Sequence, residues 1–117
     1  MKPSVLHILS QRPFLTGSGV TLDALVRLAA RAGWEQRAVV GVPAEEGHPR
    51  IGDLPGEQIL PLFFERHPLT FPVPGMSDVM PYRSTLFSTM TVAQLDAYRA
   101  AWRAHLADVL AAFRPNV

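Results

Sequence analysis

Apolar and polar positions follow two rhythms along this chain. "SVLHILS" is apolar on both faces apart from His7, which predicts a buried parallel strand over Val5–Leu9. Gln11–Gly19 then reads as a turn. Beyond it Leu22, Leu25, Val26, Ala29 and Ala30 recur at helical spacing, with Asp23, Arg27 and Arg31 opposite them. This pattern predicts a helix over Val20–Ala32, with Gly33 as its C-terminal stop. "QRAVVGV" (Gln36–Val42) predicts a second strand. Strand, helix and strand in this order form a βαβ unit, whose crossover is right-handed.

The second half is less regular. Pro43–Gly56 is a loop by composition, and Gln58–Phe64 predicts a third strand that Pro61 pushes toward a sheet edge. His67–Thr85 holds four prolines and a glycine, so neither long helix nor central strand fits. Its Phe, Val, Met and Tyr residues predict an ordered segment, folded back on the domain or lining a cleft. The last element is a helix opened by Thr91 and Gln94, a capping-box pair. Leu95, Tyr98, Trp102, Leu106, Val109, Leu110 and Phe113 give it a broad apolar stripe, and Pro115 ends it near Arg114. Pro115-Asn116-Val117 reads as the lead-in to another buried strand, and hence as part of a longer fold. Residues 1–117 are therefore expected to be one α/β domain, a Rossmann-like parallel sheet with flanking helices.

Composition narrows the function classes. A chain of 117 residues with 48% hydrophobic and 18% charged residues is globular. Its net charge of +1 gives no electrostatic case for a nucleic-acid partner or an anionic membrane. Ten of the eleven basic residues are arginines, but they are scattered and read as solvated surface. The absence of cysteine excludes disulfides, thiolate catalysis and cysteine-ligated zinc. It fits a cytoplasmic protein, as does an N-terminal apolar run too short for a signal peptide. No apolar run is long enough for an integral membrane segment.

The candidate chemistry lies in "LTGSGV", Leu15–Val20, at the carboxyl end of the first strand. Ligands of open α/β sheets bind at this end. A helix N-terminus carries unpaired N–H groups and partial positive charge, and glycines let an anion approach them. Thr16, Gly17, Ser18 and Gly19 are thus candidate phosphate-binding residues. The competing reading is a tight structural turn with Ser18 or Thr21 capping the helix. A dinucleotide fingerprint fails, because Leu22 stands where a third glycine belongs and "VVGVP" offers no acid for a ribose. A kinase-type phosphate loop fails because no Lys-Ser or Lys-Thr follows.

Other candidates carry less. Asp78 is the one acid in "GMSDVMPY"; it suits a substrate hydroxyl or the capping of a local turn. His7 reads as a core histidine, and His48, His67 and His105 lack metal-ligand spacing. Glu45 and Glu46 read as solvated loop acids, and Trp102 as core.

Taken together, "VLHILSQRPFLTGSGVTLDALVRLAARAGWEQRAVVGVP", "FPVPGMSDVMPYRSTLFS" and "AAFRPNV" resemble the N-terminal domain of family 4-type glycosyltransferases with the GT-B fold. The resemblance covers nearly the whole chain, with Gly17 and Gly19 at the family's glycine positions. The family often has two adjacent glycines there, where this chain has Thr-Gly-Ser-Gly. The resemblance implies two Rossmann-like domains facing a cleft, with the C-terminal one, which holds most of the nucleotide sugar, outside these residues. It implies retaining sugar transfer from a nucleotide-sugar donor to an acceptor of unspecified class, without a metal or further cofactor. The glycine turn would face the donor diphosphate. On this reading the chain alone is inactive and exposes apolar surface that favours a homo-oligomer. The alternative is a non-catalytic α/β binding or interaction module with a structural glycine turn.

Overall fold

A computed structural model describes residues 2–14 and 16–117. Leu15, at the head of the glycine turn, lies outside the described residues. Strands β1 (Ser4–Leu9), β2 (Glu35–Pro43) and β3 (Leu62–Phe64) form a parallel sheet in the order β1-β2-β3. Helix α1 (Gly17–Arg31) connects β1 to β2, and α2 (Val92–Ala112) follows the long proline-rich segment. Ser4 pairs with Glu35 and Leu9 with Val40, while Gly41–Pro43 pair with Leu62–Phe64. The architecture is α/β with a parallel sheet and flanking helices, compatible with a Rossmann-like fold.

The alternation of side chains along β2 assigns the two faces. Ala38, Val40 and Val42 pack with Leu22 and Val26 of α1, and Ile51 and Ile59 close this layer. Val39 points the other way, onto Trp102 and Val109 of α2. A central strand buried on both sides has to be nearly all apolar, as "AVVGV" is. A third cluster joins Phe64 and Leu69 to Phe71 and Val73 of the proline-rich segment. That segment folds back as expected over Phe71–Gly75, where Gly75 N–H donates to Thr85 O and Thr85 N–H to Val73 O. Its tip does not pack: Met76 and Val79 are exposed.

Several boundaries, and the width of one apolar stripe, differ from the sequence expectation. Helix α1 starts at Gly17 rather than Val20, because Thr16 caps it. The third strand is cut to Leu62–Phe64; Pro61 has no N–H, so only an isolated Ala38–Ile59 bridge precedes it. Helix α2 ends at Ala112, and Phe113 turns extended and stacks under the Arg37 guanidinium at 4.6 Å. Its buried stripe is narrower than expected, with Trp102 and Val109 buried and Leu95 and Leu110 exposed. The Thr91–Gln94 capping box forms in both directions. Gly33, at φ +78°, ends α1 with a Schellman pair, Gly33 N–H to Ala30 O and Trp34 N–H to Ala29 O.

The chain returns to β1 at Asn116–Val117, on the side away from β2. Val117 N–H donates to Ser4 O and Leu6 N–H to Val117 O, which is the parallel pattern. The Asn116 side chain fixes this register, accepting from both Ser4 N–H and Ser4 Oγ through Oδ1. Beyond Leu6 the outer edge of β1 carries no strand among the described residues, and Ile8 is 57% exposed.

Candidate functional site

β1 delivers the chain to the carboxyl edge of the sheet, and α1 begins there. Thr16 is extended (φ −130°, ψ 163°), and its Oγ1 accepts the Gly19 N–H at 3.1 Å. The first helical bond runs from Val20 N–H to Thr16 O. Gly17, Ser18 and Gly19 are therefore the first turn of α1 and not a loop before it. Thr16, rather than Ser18 or Thr21, is the cap. Among the described residues, the N–H groups of Gly17 and Ser18 have no hydrogen-bond partner. No acidic side chain lies in this first turn, so nothing there neutralises its positive end.

The two glycines have different reasons to be glycine. A methyl group on Gly17 would meet no atom within 4 Å. One on Gly19 would lie 2.5 Å from the Pro13 carbonyl oxygen and 2.7 Å from its carbon. Gly19 is buried and lets the Pro13–Phe14 backbone lie against the helix; Gly17 is exposed and open. The half of the turn open to an anion is thus Gly17–Ser18. Beside it lies a hollow of about 410 Å³ that Ser18, Thr21 and Leu25 share with His7 and Leu9.

Two residues that sequence reasoning passed over shape the neighbouring part of this edge. The Arg12 guanidinium binds both Glu46 oxygens, at 2.5 and 2.6 Å, and lies 4.7 Å from the Tyr82 ring centroid. Glu46 is accordingly an ion-pair partner and not merely a solvated loop acid. Burial raises the Tyr82 hydroxyl pKa, and Arg12 offsets part of that rise. This contact ties the proline-rich segment to the β1–α1 turn and to the end of β2. The available signal was weak: an arginine before proline in the turn, "QRPF", among nine other scattered arginines.

The remaining candidates separate clearly. Asp78 sits exposed at the tip of the proline-rich segment and makes no hydrogen bond or ion pair among the described residues. The local turn is instead closed by Ser77 Oγ donating to Val79 O at 2.8 Å. His7 Nε2 bonds Gln36 Oε1, and Gln36 Nε2 in turn donates to Val26 O, so His7 is a satisfied, half-buried histidine. His48 and His105 each bond a backbone carbonyl, of Gly56 and Leu60. No group of three His, Cys, Asp or Glu that could hold a metal occurs among the described residues, nor is any described helix long and apolar enough to cross a membrane. Comparison with protein-family models, with curated proteins and with solved structures finds no match to this chain.

Proposed function

We propose that this chain is the N-terminal, acceptor-side domain of a retaining glycosyltransferase of GT-B architecture. The donor is a nucleotide sugar, and its diphosphate meets the N-terminus of α1. One observation carries the reading: the Gly17 and Ser18 N–H groups are unpaired among the described residues, at an open helix terminus beside a hollow. Two aligned N–H donors and the helix dipole stabilise the charge that develops on a leaving diphosphate. Thr16 and Gly19 contribute by capping and packing, which hold the two donors in place. The Ser18 hydroxyl is a further donor, and Asp78 is a candidate contact for an acceptor hydroxyl. The partners are the donor, an acceptor and a C-terminal nucleotide-sugar domain; a cytoplasmic location belongs to the same reading.

Residues 1–117 alone are inactive on this account. A few exposed N–H contacts of about 1 kcal/mol each do not offset the several kcal/mol of translational and rotational freedom lost on binding. A second reading, a non-catalytic α/β module, draws on the Thr16 cap and the Gly19–Pro13 contact, since both suffice to explain a structural turn. The test is a transfer assay with a panel of nucleotide sugars on the full natural polypeptide that carries these residues. Transfer with retained anomeric configuration, lost on blocking Gly17 with a bulky side chain, supports the first reading. Absence of transfer from every donor favours the second.

A further inference from the structure

A separate cavity of about 570 Å³ opens at the carboxyl end of β1, on the α2 face of the sheet. That volume is within the range of small-molecule sites. Ile8 of β1 and Ser10 just beyond it form one wall; Tyr98, Arg99, Trp102 and Arg103 of α2 form the other. Helical spacing puts Arg99 and Arg103 one turn apart on the same face, and Tyr98 and Trp102 likewise. Arg12, Arg27, Arg37 and Arg83 have carboxylate partners and Arg66 lies over the Phe63 ring, while Arg31, Arg50 and Arg114 have neither among the described residues but are far apart in the chain. Among the described residues, neither Arg99 nor Arg103 has a carboxylate within 4.0 Å, although they line one cavity. Two guanidinium groups at this spacing repel each other unless an anion lies between them.

The wall beside the two guanidinium groups suits the body of an organic anion. Trp102, 8% exposed, and Tyr98 present aromatic surface there, with the Trp102 indole directed at the Tyr98 hydroxyl. Ser10 brings a second hydroxyl to the same wall. We propose that this cavity binds a small organic oxyanion, a phosphate monoester or a carboxylate. Its charged group sits between Arg99 and Arg103, and its body lies on Ile8, Tyr98 and the Trp102 ring. The guanidinium fork suits either oxyanion. The site is distinct from the Gly17–Ser18 turn and stands whether or not the domain serves glycosyl transfer.

The test is a titration of the 117-residue chain with phenyl phosphate, with benzoate and with inorganic phosphate, followed by the Trp102 indole Nε1–H resonance. The Trp34 indole and an Arg114→Gln variant are the controls. The expected result is a saturable shift of the Trp102 indole, stronger for an organic anion than for inorganic phosphate. Arg99→Gln and Arg103→Gln should each weaken it about fivefold, the effect of losing one exposed charge-assisted contact. Both arginines are exposed, so the variants should keep the parent circular dichroism spectrum. Phenyl phosphate exceeding benzoate assigns a phosphate ligand; the reverse order assigns a carboxylate. No saturable shift with any anion overturns the proposal. So does a shift that survives the double variant or that Arg114→Gln weakens equally.

Discussion

Replacing each turn glycine by alanine should move stability in opposite directions. At Gly19 the new Cβ falls 2.5 Å from the Pro13 oxygen and 3.0 Å from the Phe14 nitrogen. Both are backbone atoms, so no rotamer change relieves the contact. Overpacking of this kind costs about 1–3 kcal/mol. Alanine in a helix recovers at most about 1 kcal/mol against glycine, leaving Gly19→Ala destabilised by roughly 1–2 kcal/mol. At Gly17 the methyl group meets nothing, and φ is not in the left-handed region. Gly17→Ala should therefore be neutral or stabilising, by up to about 1 kcal/mol. Urea unfolding reads both, and with slopes of about 1–3 kcal/mol per molar the two midpoints should straddle the parent's. Equal shifts for the two variants, or a gain from Gly19→Ala, would refute the claim that one glycine serves packing and the other leaves the terminus open.

Three further outcomes follow from the contacts around this edge. Arg12→Ala removes the Glu46 pair and the Tyr82 stack, so limited proteolysis should cut faster within residues 76–84 while far-ultraviolet circular dichroism is unchanged. Asn116→Ala deletes the acceptor of Ser4 N–H and Ser4 Oγ; it should cost about 1–2 kcal/mol and speed amide exchange at Ser4. Asp23 accepts from Arg27 and from Gly52 N–H, which lowers its pKa. A depressed carboxylate contributes stability above its unfolded pKa and loses it as pH falls through the folded value. Asp23→Asn should thus be less stable than the parent at neutral pH, and the difference should vanish once pH drops below the usual aspartate range.

The sheet was legible because burial on both faces leaves a plain signature. This holds for the central strand: "AVVGV" admits no polar face, and Leu22 and Val26 of α1 pack onto one side of it. The same reading overstated β1, which is buried only at Ser4 and Val5 and leaves Ile8 exposed because no further strand covers its outer edge beyond Leu6 among the described residues. The capping box and the Gly33 stop were legible because backbone chemistry sets them locally. The start of α1 was not, since any of Thr16, Ser18 and Thr21 can cap and only the path of Pro13–Phe14 selects Thr16. The contact of Arg12 with Glu46 and Tyr82 joins three loops separated by 34 and 70 residues, and no spacing rule encodes it. The asymmetry of the two glycines was hidden for the same reason: both permit a turn, and only tertiary packing distinguishes them. Trp102 read correctly as core, but nothing in the stripe revealed that it would also line a cavity with Tyr98, Arg99 and Arg103.

The central claim is that the first turn of α1 offers Gly17 and Ser18 N–H groups to a diphosphate. The most direct measurement is a ¹⁵N-resolved titration of the Arg99→Gln/Arg103→Gln chain with inorganic pyrophosphate, which keeps the second cavity from competing. The account predicts weak, saturable shifts, with a dissociation constant of about 1 mM or weaker. They should be largest at the Gly17 and Ser18 amides and smaller at Gly19, whose N–H is held by Thr16. Pyrophosphate leaving the Gly17 and Ser18 amides unmoved, while the fold is intact, would contradict it.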